Sequence, residues 1–324
     1  MRSALSSSRK GFFLAVLAFA TAGAGAQFPD RPIRLVVPQA AGSATDNFAR
    51  LLSPELGKQL GQPVVVDNRP GGALTIGIDA VAKADPDGYT IGLGPVGALA
   101  ITRHMVARLP YDIERDLQPV ALVGYSYMLL AVSPKTPFHS VAELIDYAKK
   151  NPGKLFNASS SNGSPGHVSG ELFKYMTGTN IVHVPYKGGA AAIADLIAGN
   201  VQLMFESTNS MSPHVKAGRV RALAVSGAKR SAAFPDLPTI GETVPGYEVT
   251  SWSGVIAPAG LPRPILDRLN AAVNAVVEEP ALKARLRDLG SEGGGGTPEQ
   301  FAELIRRDSA KWAEVVRRSG ARIE

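Results

Sequence analysis

An α/β fold in two lobes, each a mostly parallel sheet flanked by helices, is the architecture that this 324-residue sequence predicts. Three observations predict it. Short β-branched runs alternate with helical patterns along almost the whole chain, as in parallel strands joined by crossover helices. Two extended segments, 117–132 and 247–257, are long enough to pass from one lobe to the other. Two glycine- and hydroxyl-rich turns also stand more than a hundred residues apart. Each lies between a strand and a helix, where such sheets place their ligands.

The first 26 residues stand apart. Arg2, Arg9 and Lys10 flank the start of an apolar run over 11–20, and Ala24-Gly25-Ala26 supplies the small residues of a cleavage site. These features read as a secretory signal peptide cleaved after Ala26. The run is far shorter than the ~20 residues that span a bilayer. Losing its three basic residues lowers the formal net charge from +6 to +3. The remaining charges are interspersed, so nucleic acid is not an expected partner. With no cysteine in the chain, a thiolate metal site and a cysteine nucleophile are excluded. The expected product is a periplasmic monomer.

Along the mature chain, Ile33–Val37 reads as the first strand and 45–60 as the first helix. Further strands are expected at 64–66, 90–93, 120–123 and 129–132. Beyond them, helices at 141–149, 168–177 and 190–198 alternate with strands at 154–158, 181–184, 201–205 and 221–225. After a strand at 254–257 the pattern turns helical. Pro262 and Pro264 open a helix to about residue 277, a second covers 281–289, and 290–296 is a glycine-rich break. Thr297-Pro298-Glu299-Gln300 then starts the last helix with a hydroxyl cap, a proline and a capping-box glutamine. Leu304, Ile305, Trp312, Val315 and Val316 recur at helical spacing and predict a packed face. The crossings divide the chain into a first lobe of 27–124 plus 251–324 and a second of 125–250.

The chemistry is expected at the two turns. In the first, Gly42 lets the backbone approach a ligand, and Ser43 or Thr45 caps a helix starting near Asp46. In the second, between Ser159 and His167, the matching parts fall to Ser161, Gly163 and Ser164. A helix start presents unpaired N–H groups at the positive end of the dipole, and so attracts anions. Neither turn contains Arg or Lys, which leaves backbone N–H groups and hydroxyls to hold a carboxylate. Capping alone explains either turn; two opposed turns in an exported chain favour a ligand.

Other chemistries fit less well. Gly92-Leu93-Gly94-Pro95-Val96-Gly97 matches a dinucleotide fingerprint, but Pro95 removes an N–H and no acidic residue follows at the end of the next strand. Ser164 and His167 suggest a serine hydrolase, yet no G-x-S-x-G elbow is present. No His-x-x-x-His or calcium-loop spacing occurs, so no metal is expected. The runner-up functions are a periplasmic hydrolase using Ser164 and His167, and a soluble input to a membrane sensor kinase.

Five segments carry a family resemblance: Phe28-Pro29-Asp30-Arg31-Pro32-Ile33, Asp67-Asn68-Arg69-Pro70-Gly71-Gly72, Asp85-Pro86-Asp87-Gly88-Tyr89-Thr90, Leu109-Pro110-Tyr111-Asp112 and His183-Val184-Pro185-Tyr186-Lys187-Gly188. The chain resembles the Bug family, the TctC-like receptors of tripartite tricarboxylate transporters, over essentially its whole mature length. The resemblance implies a type II periplasmic-binding-protein fold that closes like a flytrap on a small organic acid or amino-acid-like solute. It also implies transient delivery to integral membrane permease subunits, with no cofactor and no catalysis. Ligand contacts are implied at Gln39, Gly42, Ser43, Ala44, Thr45 and Asp46, and at Ser161, Asn162, Gly163, Ser164 and His167. Gly97, Ala98, Pro185 and Glu206 are implied to face the same cleft. The chain departs from the family at Gln39, where an aromatic is common, and at Gly42-Ser43, where Gly-Gly is usual. It departs again at Gly94–Ala98, which lacks two hydroxyls, and at Glu206, where aspartate often stands. These departures predict a monocarboxylate or small acid with an apolar body rather than a tricarboxylate.

Overall fold

The computed structural model describes residues 28–322 apart from 232, 289, 320 and 321. The expected signal peptide lies outside the described residues. Among these, no helix is long and apolar enough to cross a membrane.

In chain order the elements are β1 (Ile33–Val37), α1 (Ala44–Leu60), β2 (Val64–Asn68), α2 (Thr75–Ala82), β3 (Thr90–Pro95), β4 (Leu117–Val132), α3 (Val141–Lys150), β5 (Phe156–Ser159), α4 (Pro165–Thr177) and β6 (Val182–Pro185). There follow α5 (Gly189–Ala198), β7 (Leu203–Ser207), α6 (Thr208–Lys216), β8 (Arg221–Val225), β9 (Thr250–Pro258), α7 (Arg263–Glu278), α8 (Pro280–Asp288), β10 (Ser291–Gly295) and α9 (Pro298–Ser319). The strands form one sheet in the order β2-β1-β3-β9-β4-β7-β5-β6, with β8 and β10 also paired to β4. Pairing is parallel on both flanks (β2-β1-β3 and β7-β5-β6) and antiparallel wherever β4 or β9 takes part.

β4 is the spine. Its 16 residues extend about 50 Å at ~3.3 Å per residue. Leu117 to Tyr127 pair with β9, and Met128 to Val132 pair with β7. The chain therefore passes from one half of the sheet to the other between Tyr127 and Met128. Two separate strands were expected here, at 120–123 and 129–132; the intervening Gly124-Tyr125-Ser126-Tyr127 continues the ladder instead. The expected glycine-rich break at 290–296 is likewise the strand β10, antiparallel to β4. Close approach explains it: a Cβ on Gly124 would meet the Glu292 carbonyl at 2.5 Å, and one on Gly294 would meet Leu122 at 2.6 Å. Helices α2 and α6 were not foreseen. One follows two left-handed residues, Ala73 (φ 52°) and Leu74 (φ 77°), and the other is rich in Thr, Asn and Ser and contains Pro213.

Helices α1, α7 and α8 bury Leu52, Leu56, Val273 and Leu286 together with Ile33, Leu35 and Val255 of the sheet. A second core runs through both halves, from Ile78 and the 96–101 turn through Trp252 and Phe301 to Phe173, Phe205 and Tyr247. α9 is anchored where Phe301 lies across Gly254, edge-on to Trp252 at 5.5 Å, and where the Trp252 indole donates to Asp308 at 2.6 Å. It also packs against α4, so it bridges the two halves. Two of the motifs noted above join each other. The Tyr89 hydroxyl donates to Asp30 at 2.6 Å, and the Arg31 guanidinium lies 4.2 Å over the Tyr89 ring.

Candidate functional site

The carboxyl ends of β1 and β2 face those of β5 and β6 across a cleft of about 550 Å³. One wall is the β1–α1 turn (Pro38, Gln39, Ala40, Ser43) and the loop from Pro70 to Leu74. The other is Ser160, Ser161 and Asn162 after β5, and Pro185 to Gly189 between β6 and α5. Deeper between the halves lies a chamber of about 20 Å³, lined by Gln39, Ala44, Thr45, Pro95, Ser126 and Glu206 among others. That is room for about one water molecule. The walls touch. A Cβ on Gly97 would lie 3.1 Å from the Gly163 carbonyl, one on Gly188 would lie 3.6 Å from Ala40, and Asn209 donates to the Ala44 carbonyl at 3.3 Å.

The first turn is built around Asp46. Gly42, at φ 79°, turns its N–H onto one carboxylate oxygen at 2.8 Å, and Arg50 donates to the same oxygen. Asn68 donates to the other oxygen at 2.9 Å and also bonds the Gln39 carbonyl. Burial acts to raise the Asp46 carboxyl, but Arg50, Gly42 and Asn68 outweigh it and hold the group below its ordinary value. Asp46 lines neither cavity: it is the internal counter-ion that shapes the turn, and it consumes the Gly42 N–H. Ser43 caps α1 through Asp46 N–H, and Thr45 donates to the Gln39 side chain. Asp46→Ala takes the acceptor from the Gly42 N–H, the Asn68 amide and Arg50, and is expected to cost about 2 kcal/mol. The midpoint of urea unfolding checks this; an unchanged midpoint removes Asp46 from the account.

The second turn is also internally satisfied. Ser164, fully buried, caps α4 by accepting the His167 backbone N–H, and Gly163 N–H donates to His167 Nδ1 at 3.2 Å. That bond leaves the neutral imidazole protonated on Nε2, 3.9 Å from Glu171. The ring stacks on His183 at 3.8 Å, and His183 Nε2 bonds Ser159 Oγ, which donates to the Ser161 carbonyl. Burial foremost, then the neighbouring His183 and Lys174, lower His167 to about 3; burial and Lys174 lower His183 to about 4. The His167 ring does not reach Ser164, so the two are a helix cap and not a nucleophile with its base. Ser161 and Asn162 face the cleft, and the Ser161 hydroxyl has no partner among the described residues.

Gly97 and Ala98 line neither cavity. Gly97 is where the halves meet, and Ala98 is buried in the core. The glycines of the dinucleotide-like motif serve packing: a Cβ on Gly92 would meet Val81 at 2.7 Å, and one on Gly94 would meet Leu99 at 2.6 Å. Among the described residues no cluster of His, Asp and Glu is fit to hold a metal.

Three features of the cleft were not anticipated. The loop Pro70 to Leu74 forms much of the first wall, and Lys187 is, among the described residues, the one charged side chain lining the cleft. Two helices open onto the cleft without a side-chain cap, α2 behind Leu74 and α5 with Gly188 at its N-cap position, and neither was foreseen in that role. The signal for α5 in the sequence is Gly188-Gly189 followed by three alanines, with no Ser, Thr, Asp or Asn to satisfy the first N–H groups.

With this geometry described, similarity to known proteins becomes informative. The model of the tripartite tricarboxylate transporter family receptor matches residues 48–321. Protein BugT of Bordetella pertussis is 36% identical over 316 residues, covering 97% of this chain and 97% of its own. Among solved structures, R. palustris Rpa4515 with adipate superposes with a TM-score of 0.89 at 40% identity, covering 91% of this chain and all of that one. MatC from Rhodopseudomonas palustris with bound malate gives a TM-score of 0.85 at 32% identity, covering 89% of this chain and all of that one.

Proposed function

Because the chain belongs to the tripartite tricarboxylate transporter receptor family, we propose that it is a periplasmic receptor that captures a small carboxylate in the cleft and delivers it to the membrane permease subunits of that transporter type. Its lobes in this reading are 27–124 plus 251–324 and 125–250, and β4 and β9 are the crossings that let them close. One observation carries the ligand class: a cleft of about 550 Å³ whose lining holds, among the described residues, a single charged side chain, Lys187, beside the uncapped start of α5. Both features favour an anion of low charge. The apolar lining of Pro38, Ala40, Pro70, Ala73, Leu74 and Pro185 suits an apolar body. Adipate and malate in the related structures support a carboxylate.

A ligand that binds only the folded state raises the melting temperature. Hexanoate, benzoate, adipate, malate and citrate are therefore compared in thermal unfolding, and a shift of several degrees is expected with one of the first three. A shift with citrate alone refutes the apolar-body reading, and no shift with any acid refutes the receptor. Lys187→Ala is expected to weaken binding of the stabilising acid about two- to fivefold, the worth of an exposed charge contact. Calorimetry measures it.

A further inference from the structure

Glu206 ends β7 with its side chain only 6% exposed, in the wall of the inner chamber. One oxygen, Oε1, accepts the Ser207 N–H at 2.8 Å. The other, Oε2, has no hydrogen-bond partner among the described residues. It points at the start of α5, where a Cβ on Gly189 would lie 3.3 Å from it and 3.9 Å from Ser160. Gly188, at φ 146°, opens that helix with no capping side chain, so its first N–H groups are left for a ligand. The helix start favours a negative charge, yet the side chain beside it is a buried acid.

Among the described residues no cation pairs with that acid. Burial raises Glu206 to about 7, against which only the Ser207 N–H acts. α1 carries Asp46, already bonded to Gly42, Arg50 and Asn68. α4 contributes His167, held neutral in its stack on His183. β4 and β9 present the serines Ser126, Ser251 and Ser253, and α6 begins with Thr208 and Asn209, its His214 and Lys216 falling in the last turn. Lys187 stands on the lining of the outer cleft.

We propose that Glu206 is a specificity-determining residue that, in its acid form, donates a hydrogen bond to a carboxylate seated on the start of α5, so that capture of the anion brings one proton with it. This rests on the carboxylate-receptor reading. An ionised Glu206 repels an incoming carboxylate, whereas the acid form supplies an O–H···O⁻ bond of the strong, charge-assisted kind. The bound anion holds the proton on Glu206 more firmly, and by linkage the complex takes a proton up from solvent wherever free Glu206 is ionised. An amino acid presenting its ammonium group at this point selects the ionised form and takes up none.

Calorimetry on the mature chain, in phosphate and in Tris at about pH 6, 7 and 8, tests the proposal with hexanoate, benzoate and adipate as probes, and with glutamate as the ammonium-bearing control. Phosphate and Tris differ widely in ionisation enthalpy, so their heats differ in proportion to the protons exchanged. The expected result is uptake of about one proton per acid bound at pH 8 and little at pH 6. The apparent Kd then rises about fivefold between pH 7 and 8, and Glu206→Gln shows a flat Kd and buffer-independent heats. Buffer-independent heats with a flat wild-type Kd, for an acid that does bind, overturn the proposal and leave the receptor reading standing. So does glutamate binding that tightens as the pH rises. Binding of none of the probes overturns both.

Discussion

Acidification from about pH 6.5 to 3 is expected to remove several kcal/mol of stability through His167 and His183. Their rings stack at 3.8 Å, and their protons are held off by burial first and by Lys174 after that, with His183 also acting on His167. In the unfolded chain both take up protons near pH 6.5, but in the folded chain only near 3 and 4. Their stabilisation is therefore present above pH 6.5 and lost as the pH falls towards those values. The loss approaches about 1.4 kcal/mol per pH unit for each ring. Glu206 opposes them: its folded value lies above the unfolded one, so its contribution is present below about 4.5 and lost as the pH rises to about 7. The net decline should therefore be gentle down to about pH 4.5 and about twice as steep just below it. Protonating His167 Nδ1 also removes the acceptor of the Gly163 N–H, so the 159–167 turn fails first. Denaturant unfolding at stepped pH checks this against His167→Asn with His183→Gln, whose amides keep the ring nitrogens' positions without titrating. Equal acid sensitivity in the two proteins ends the explanation.

Gly166→Ala is expected to be the most damaging small substitution in the site. A Cβ there would stand 2.2 Å from the Phe205 carbonyl, and that atom belongs to β7 and cannot rotate away. α4 must withdraw from β7, carrying the Ser164 cap with it and opening the inner chamber. A loss of about 3 kcal/mol or more is expected, with Tm lowered by roughly 6–12 °C and ligand-induced stabilisation abolished. Gly178→Ala is the control. Its φ of 63° is strained for alanine, but nothing lies within 4 Å, so about 1 kcal/mol is expected. Gly166 itself lies in α4 without a left-handed φ, so a loss there no greater than at Gly178 would refute the contact with β7 as its cause.

Local physics made much of this legible. Ile33–Val37, Arg221–Val225 and the cap at Thr297 were placed from periodicity and capping chemistry alone, and the Ser43 and Ser164 caps are where a hydroxyl before a helix must be. Misreadings fell where glycine served proximity. Gly124, Gly293 and Gly294 look like a break in sequence, but in space they let β10 lie against β4. The two turns read as anion cradles lie beside the cleft, but Asp46 and His167 already occupy Gly42 and Gly163. Only folding reveals that, because the Asn68 and His183 partners that complete those turns come from other strands.

The sequence by itself determined most of the strands and helices, which side chains cap several of them, the absence of thiol chemistry and the family to which the chain belongs. Those properties reside in neighbours a few residues apart. The tertiary structure alone decided that β4 runs unbroken through Gly124–Tyr127 from one half to the other, that α9 braces both, and that α5 rather than α4 offers its open end to the cleft. It alone set Glu206 beside that end with one oxygen unpaired. Each of these depends on which distant groups burial brings together and which hydrogen-bonding atoms remain unmatched once it has done so, and neither quantity is carried by spacing along a chain.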